Sequence, residues 1–241
     1  MTYEFDGTLA GTMSKPPPGL FITGTNTAVG KTYVSSLIAR ALRREGYRVG
    51  VYKPAASGCR REGHVLVADD ALELWNAAGR PGELERVCPQ CFELMLAPHL
   101  AAIDQGQAID PGLLRSGIDY WRERSDIVIV EGAGGLMSPL GDDEYNADLA
   151  HDLGYPLVIV TRNALGTIHE TLTTLISAAS YGEGLEVAGL VLNSPQGNRD
   201  DSSTNSNRAE LEARAVAPVL AEVGFDAVDF DRQVPWFSLA K

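Results

Sequence analysis

Short apolar runs, separated by helical patterns, set the architecture that this chain can adopt. The clearest is Ile127–Val130, a continuous run of β-branched residues. Such a run is typical of a strand buried on both faces, as in a parallel sheet covered by helices. Strands that alternate with helices predict an α/β fold with a mostly parallel sheet and helices on both faces. The predicted strands are residues 20–23, 47–52, 127–130, 156–160 and 187–192.

The helical patterns and the turn residues between them predict a single domain behind a short tail. Residues 1–18 end in three prolines and show no sustained period, so we expect a disordered tail. Residues 19–241 form the predicted domain, in which the polar stretch 194–207 is a mobile loop. Asp110 is predicted as the N-cap of the third helix, with Pro111 in its first turn. The predicted helices are residues 32–44, 67–78, 111–124, 167–180 and 208–223.

The charge balance narrows the classes of partner. Among the 241 residues, 32 Asp and Glu side chains exceed 20 Lys and Arg side chains, which gives a formal net charge of −12. An acidic protein lacks the basic surface that general binding to nucleic acid or anionic membranes requires. No apolar run reaches the roughly 18 residues of a membrane span, and the N-terminus lacks the pattern of a secretory signal. We expect a cytoplasmic protein that binds neither nucleic acid nor membranes.

A glycine-rich segment between the first strand and the first helix predicts a phosphate site. Residues 24–32 read GTNTAVGKT, and a loop at this position directs backbone N–H groups at phosphate oxygens. Gly30 lets the backbone approach the ligand, Lys31 supplies a charge to the β- and γ-phosphates, and Thr32 offers a hydroxyl to Mg²⁺. The strict pattern G-x4-G-K-[ST] requires glycine where this chain has Thr25. The sequence thus predicts a P-loop with one deviation.

Acidic residues at two places are candidates for binding the metal ion of a nucleotide. Glu131 directly follows the run 127–130, and ligand sites of open α/β sheets lie at the carboxyl ends of strands. Small residues at 132–135 leave room for a ligand beside the backbone. A second carboxylate could come from Asp69 or Asp70 at the start of the second predicted helix, where a purely structural N-cap role explains an Asp equally well.

A second lysine follows the second predicted strand. Lys53 begins the segment KPAASG and is predicted to lie above the sheet beside the P-loop. A cation there could hold an anionic intermediate or the transferred phosphoryl group. A solvated lysine in a turn is the alternative that these residues alone leave open.

Taken together, the motifs resemble those of the dethiobiotin synthetase family. GTNTAVGKT is similar to the family's GTDTxVGKT, and YKPAASG at 52–58 is similar to its YKPxxSG. The segments DDAL, APHLAA, VEGAGGL and VLN match in the same order, so the resemblance covers about residues 19–237. It implies an ATP- and Mg²⁺-dependent cyclo-ligase of biotin biosynthesis. That family converts 7,8-diaminopelargonic acid, CO₂ and ATP into dethiobiotin, ADP and phosphate through a carbamate that ATP phosphorylates.

The resemblance also implies a role for each matching residue. Lys53 and Lys31 would be the catalytic cations, and Thr27 would hydrogen-bond the carbamate. Ser57 would bind the diamine together with Thr27 and Lys53. The implied metal ligands are Thr32, Asp70 and Glu131. The implied nucleotide contacts are Ala28, Val29, Gly30, Lys31, Thr32, Tyr33, Asp70, Glu131, Gly132, Ala133, Gly134, Asn193, Ser194, Pro235, Trp236 and Phe237.

Two further implications concern the adenine base and the partner subunit. Asn193 and Ser194 would read the adenine, and residues 235–237 would pack near it. The family is homodimeric, and the carboxylate of the diamine lies near the partner subunit. A helix N-terminus after residues 163–166 would suit that anion.

Two other functions stay open at this point. A related P-loop amide synthetase would share the nucleotide site, but such enzymes normally carry an additional glutaminase domain. A nucleotide-switched regulatory ATPase would share the fold, but a related class of these proteins has a second lysine at the position of Asn26. Measurement of ATP turnover distinguishes these functions, because a dethiobiotin synthetase should release phosphate only when diamine and bicarbonate are both present.

Overall fold

The computed structural model describes residues 16–195 and 201–241. Its strands are β1 (Gly19–Gly24), β2 (Val49–Tyr52), β3 (Ala55–Ala56), β4 (Arg60–Glu62), β5 (Val65–Val67), β6 (Gln90–Cys91), β7 (Ile127–Gly135), β8 (Leu157–Arg162), β9 (Val187–Asn193) and β10 (Val219–Val223). Its α-helices are α1 (Lys31–Arg44), α2 (Asp69–Ala77), α3 (Leu84–Val87), α4 (Pro98–Asp104), α5 (Pro111–Ser116), α6 (Asp119–Arg122), α7 (Asn146–Leu153), α8 (Thr167–Ser180), α9 (Asn207–Arg214) and α10 (Trp236–Leu239). A 3₁₀ helix spans Ser202–Asn205.

A six-stranded parallel sheet forms the centre of the molecule. The strand order is β10-β9-β8-β1-β7-β2, and each neighbouring pair is parallel. Residues 127–131 of β7 and 20–23 of β1 are all completely buried, so both faces of the central strands are covered. This confirms the predicted α/β fold with a parallel sheet. Because β1 lies in the middle, the P-loop that follows it opens at the centre of the carboxyl edge of the sheet.

Helix α1 covers β1 and β7 with one apolar stripe. Val34, Leu37, Ile38 and Leu42 recur at the three- and four-residue spacing that places side chains on one face of a helix, and all four are buried. Its first turn lies at the carboxyl edge of the sheet, and its last turn, with Arg44, lies at the opposite end. The 14 residues of this helix separate its two ends by about 20 Å.

The predicted helix 208–223 is wrong in its second half. Helix α9 ends at Arg214, and residues 219–223 are the edge strand β10, which pairs with β9. Pro218 has no N–H to donate within a helix, which accounts for the break. The strand residues then alternate between buried and half-buried positions, a period of two rather than 3.6.

Other predicted bounds need smaller changes. The predicted helix 111–124 is two short helices, α5 and α6, although Asp110 caps the first as predicted by accepting a hydrogen bond from the Leu113 N–H at 3.0 Å. The predicted mobile loop 194–207 contains a 3₁₀ helix capped by Asp201, and its residues 196–200 lie outside the described ranges. Strand β7 continues five residues past the predicted end, to Gly135.

The predicted tail falls mostly outside the described residues. Residues 1–15 are not described, and the prediction of disorder there stays a prediction. Pro18 lies beside β7, because its carbonyl accepts a hydrogen bond from the Val128 N–H at 3.0 Å. Within the described ranges, no helix is both long enough and apolar enough to cross a membrane.

Candidate active site

The loop between β1 and α1 has the geometry of a phosphate-binding turn. Gly30 precedes α1 with a φ of 91°, a backbone conformation that residues with a Cβ rarely adopt. A Cβ at Gly30 would also overlap the side-chain amide of Asn193, which donates a hydrogen bond to the Val29 carbonyl at 2.8 Å. Glycine at this position is therefore required both by the turn and by the contact with the end of β9.

The deviation at Thr25 has a structural explanation. Its N–H donates to the Val160 carbonyl of β8 at 3.0 Å, which continues the pairing of β1 with β8. Its hydroxyl lies 3.3 Å from the Thr161 hydroxyl and 3.4 Å from a carboxylate oxygen of Glu170. Thr25 thus joins the loop to β8 and α8, and it takes no part in lining the cavity described below.

Lys53 and Glu131 form the ionic centre of the site. Lys53 Nζ lies 2.7 Å from Glu131 Oε1 and 2.9 Å from Asp70 Oδ2. Thr32 Oγ1 donates to the same Glu131 oxygen at 2.8 Å. Glu131 is completely buried and Lys53 is 3% exposed, whereas Asp70 is exposed. Four residues from four different elements of the sequence therefore meet at one point of the carboxyl edge.

The site shifts the pKa values of its charged groups. Burial alone would lower the pKa of Lys53, but the adjacent Glu131 and Asp70 carboxylates outweigh it and raise that pKa above its usual value. Burial likewise opposes ionisation of Asp70, and the pairing with Lys53 overcomes it and lowers the Asp70 pKa. Within the described residues, Lys31 forms no ion pair of this kind. Its burial, which Glu131 opposes and Lys53 reinforces, lowers its pKa to about 8.

A cavity of about 390 Å³ opens above these groups. Ten of its lining residues are predicted site residues: Thr27, Ala28, Gly30, Lys31, Thr32, Lys53, Ser57, Asp70, Ala133 and Gly134. Ala56 and Met95 complete the wall. The structure thus brings together the P-loop, the segment after β2, the start of α2 and the turn after Glu131.

The other predicted nucleotide residues lie around this cavity rather than on its wall. Val29 is buried beneath the loop, and the Tyr33 hydroxyl donates to the Ala227 carbonyl at 2.5 Å. Asn193 is buried, and its Oδ1 has no hydrogen-bond partner among the described residues. The Ser194 N–H donates to the Val223 carbonyl at 2.9 Å, so the ends of β9 and β10 lie side by side next to the P-loop.

The placement of residues 235–237 does not fit the predicted contact with the base. Trp236 is 1% exposed and packs against Phe230, and Phe237 stacks on Tyr47 with ring centroids 4.1 Å apart. Tyr47 follows the last turn of α1, so these residues lie at the end of the helix remote from the P-loop. The structure therefore places Pro235, Trp236 and Phe237 away from the P-loop, which contradicts their predicted contact with the base.

Phe225 is an exposed aromatic residue at the carboxyl edge of the sheet, and no sequence motif indicated it. It follows β10 by two residues and is 56% exposed. The adjoining Ala227 contacts Tyr33 of α1, which brings this segment beside the P-loop. The alternation of Val219, Ala221 and Val223 after a proline is typical of a strand that would lead into Phe225. The predicted helix 208–223 included these three residues, so the sequence did not predict the strand.

Met95 lines the cavity, although no sequence pattern indicated it. Its side chain is 89% exposed, and it lies beside Gly58, where an added Cβ would come within 3.6 Å. The Gly58 N–H donates to the Leu94 carbonyl at 3.0 Å, so the segment with Met95 is attached to the segment with Ser57. An apolar side chain this exposed at the mouth of a polar cavity is available to a ligand.

The oxygen ligands present fit a Mg²⁺ ion that accompanies a nucleotide. Glu131 Oε2 is buried without a hydrogen-bond partner among the described residues. Thr32 donates directly to the other oxygen of this carboxylate, and Asp70 lies across Lys53 from it. Mg²⁺ in such sites takes one or two carboxylates and completes its shell with phosphate oxygens and water. Within residues 16–195 and 201–241, no three or more His, Cys, Asp or Glu side chains form a cluster that could hold a metal. This agrees with a site that supplies only two carboxylates and one hydroxyl.

The parallel sheet, the P-loop and the buried lysine–carboxylate group define a P-loop nucleotide-binding protein. A family model described as an AAA domain matches residues 18–228. Solved structures support the same fold: a ParA family ATPase from Chlorobium tepidum (17% identity, TM-score 0.53, 88% of this chain and 85% of that one) and MinD from Pyrococcus horikoshii (16% identity, TM-score 0.52, 86% and 81%).

Sequence relatives assign the chain more narrowly. It is 40% identical to an ATP-dependent dethiobiotin synthetase of Rhodopirellula baltica, over 84% of this chain and 82% of the relative. It is 35% identical to one of Aromatoleum aromaticum (87% and 93% covered) and 36% identical to one of Bacillus cereus (89% and 86% covered). The chain belongs to the family of ATP-dependent dethiobiotin synthetases.

Proposed function

We propose that this chain converts 7,8-diaminopelargonic acid, CO₂ and ATP into dethiobiotin, ADP and phosphate, as an ATP-dependent cyclo-ligase of biotin biosynthesis. The observation that carries the proposal is the buried Lys53 ammonium, held at the wall of the P-loop cavity by Glu131 and Asp70. A cation fixed beside a triphosphate site is suited to a reaction that brings two anions together. The names of the relatives supply the product, dethiobiotin, and the dependence on ATP.

The chemistry has three balanced steps. One substrate amine adds to CO₂, forms a C–N bond and loses a proton, which gives a carbamate. A carbamate oxygen then attacks the γ-phosphorus of ATP, and ADP leaves. Finally the second amine attacks the carbamate carbon, the C–O bond to phosphate breaks, phosphate and a proton leave, and the cyclic urea is closed.

Lys53 and Lys31 carry the electrostatic part of this scheme. The carbamate and the γ-phosphate repel one another, and a preorganised cation between them lowers the cost of their approach. Lys53 is the catalytic residue on the carbamate side, and its two carboxylate partners fix the ammonium in one position. Lys31 binds the β- and γ-phosphates from the P-loop side.

The metal and the triphosphate are bound at the carboxyl edge. Thr32, Asp70 and Glu131 would hold Mg²⁺, which when bound neutralises charge on the phosphate oxygens. The backbone around the cavity binds the triphosphate through the nucleotide residues Ala28, Val29, Gly30, Lys31, Thr32, Tyr33, Gly132, Ala133 and Gly134. Glu131 could bind the metal through Oε2, the oxygen that does not contact Lys53.

The base lies next to the cavity, beside the ends of β9 and β10, and the diamine lies in the cavity. Asn193 and Ser194 read the adenine, because the unpaired Asn193 oxygen can accept from its amino group, and Phe225 packs on the ring. Thr27 and Ser57 bind the reacting end of the diamine, and Met95 covers its hydrocarbon chain.

We also propose that the enzyme is a homodimer in the cytoplasm, where ATP is available. Leu165 and Ile176, just before and on α8, are exposed apolar side chains, and Met137 lines a neighbouring cavity with Thr173. A second copy of the chain on this face would cover them. It would also bring another chain close to the loop before α8, where the substrate carboxylate is expected. The acidic net charge supports the absence of a nucleic-acid or membrane partner.

Phosphate release tests the proposal. The purified chain with Mg–ATP should release phosphate only when both diamine and bicarbonate are present, and mass spectrometry should detect dethiobiotin. Phosphate release that ignores the diamine would point instead to a regulatory ATPase. Release that requires an amine donor and another carboxylic acid would point to a related amide synthetase.

A further inference from the structure

Strand β7 carries a bulge directly after Glu131. Ile22 of β1 pairs with Glu131 and Gly24 pairs with Gly135, so the three residues 132–134 stand opposite a single residue of β1. The extra residues leave the hydrogen-bond ladder at this point, as in other β-bulges. Two of the three line the cavity, so the bulge is the part of the strand that faces the proposed triphosphate.

One side chain replaces the missing partners of the bulge. Asn146 is completely buried, and its Oδ1 accepts from the Ala133 N–H at 3.0 Å. Its Nδ2 lies 2.7 Å from the Ala133 carbonyl, 3.0 Å from that of Gly135 and 3.1 Å from that of Ser138. The amide thus pairs with both polar groups of Ala133, as a neighbouring strand would, and it also closes the turn that follows.

The contact leaves no space at the start of the bulge. A Cβ at Gly132 would lie 2.6 Å from Asn146 Oδ1 and 3.2 Å from Phe21 Cε1. Asn146 itself is the first residue of α7, whose start is fixed by a hydrogen bond from the Tyr145 N–H to the Asp148 carboxylate at 2.8 Å. The bulge is therefore held between the sheet and the rigid first turn of a helix.

We propose that Asn146 is a positioning residue for the nucleotide. It holds Ala133 and Gly134 at the wall of the cavity in the conformation that the triphosphate requires, so binding does not have to order them. This inference rests on the proposed nucleotide site. No sequence motif indicated the residue, because a single Asn after Asp-Asp-Glu-Tyr has the character of a surface turn.

The test compares Asn146→Ala with Gly132→Ala, which disturbs the same contact from the other side. Each variant should weaken Mg–ATP binding about tenfold in titration calorimetry, the order expected when one well-made polar contact is lost. The KM for the diamine should change less than about twofold at temperatures far below unfolding. Because Asn146→Ala removes the atom that a Gly132 methyl group would strike, the double variant should lose less than the sum of the two single losses.

Gln90→Ala is the matched control. The Gln90 amide is also buried and pairs reciprocally with the backbone of Asp110, at 2.8 and 3.1 Å, outside the cavity. Its removal should lower the melting temperature without changing ATP affinity. Asn146→Asp keeps the acceptor for the Ala133 N–H, and it serves as the test if Asn146→Ala does not fold.

The outcomes separate this inference from the proposed function. Folded Asn146 and Gly132 variants that bind Mg–ATP like the unmodified chain would overturn the positioning role. An unmodified chain that does not bind ATP would refute the proposed function. In that case the positioning role is tested by the rate of amide hydrogen exchange at Ala133 and Gly134. If these amides exchange as slowly in Asn146→Ala as in the unmodified chain, the positioning role is overturned as well.

Discussion

The Nζ of Lys53 lies 2.7 Å from Oε1 of Glu131, with both side chains almost entirely removed from solvent. A buried charge is costly unless it is paired, and removal of one member of a pair leaves the other uncompensated. The same contact thus stabilises the fold and places a cation at the site, and the two contributions can be separated by mutation.

Lys53→Ala should abolish turnover and also destabilise the fold by about 3 kcal/mol, because it leaves the Glu131 carboxylate unpaired. Lys53→Met combined with Glu131→Gln should recover most of the free energy of unfolding, measured in urea, but none of the turnover. Arg48→Ala, which breaks the exposed pair with Asp126, is the control and should alter neither quantity appreciably. Activity in the stabilised double variant would rule out a catalytic role for Lys53.

Lys31 should make ATP binding depend on pH. Its pKa in the free protein is lowered to about 8, chiefly by burial, so the ammonium is charged below pH 8 and loses its proton above. A bound triphosphate favours the charged form, so the affinity for ATP should be constant below about pH 8 and fall above it, with proton uptake on binding. Lys31→Arg should keep its charge and show a flat profile over this range. Equal affinity at pH 7 and pH 9.5 in the unmodified chain would contradict the assigned role.

Phe225→Ala should raise the KM for ATP about tenfold, since loss of aromatic packing on a base costs on the order of 1–3 kcal/mol. The KM for the diamine should not change. Phe237→Ala is the matched control, because it removes the stack on Tyr47 at the far end of α1 and should affect stability alone. The reverse pattern would restore the original prediction for residues 235–237.

Met95→Ala should raise the KM for the diamine several-fold, because burial of hydrocarbon against a methionine contributes on the order of 1 kcal/mol. The KM for ATP should stay the same. Val216→Ala, at an apolar position 94% exposed between α9 and β10, is the control for general effects of surface truncation. A Met95 variant whose two KM values shift together would show that the residue acts on the whole cavity rather than on the diamine.

The central strands and the P-loop were predictable because each has a local cause. Ile127–Val130 is apolar on both faces since helices cover both faces, and Gly30 is required by a positive φ beside Asn193. Lys53 could be placed at the end of its strand, but its pairing with Asp70 depends on how α2 packs, which no local pattern encodes.

The residues that were missed depend on long-range contacts. Asn146 contacts Ala133 and Gly135, thirteen and eleven positions earlier in the chain, and its polar neighbours in sequence give it the character of a turn. Phe225 follows an edge strand only five residues long, which resembles the continuation of the preceding helix until the break at Pro218 is taken into account. In both cases the tertiary pairing, rather than the local propensity, decides the role.

The fate of the carbamate oxygen tests the central claim most directly. With bicarbonate fully labelled with ¹⁸O, the carbamate oxygen attacks the γ-phosphorus and then leaves with phosphate when the ring closes. The account predicts that mass spectrometry will find one ¹⁸O atom from bicarbonate in each phosphate released during dethiobiotin formation. Phosphate that carries an oxygen from water instead would contradict phosphorylation of a carbamate in this site.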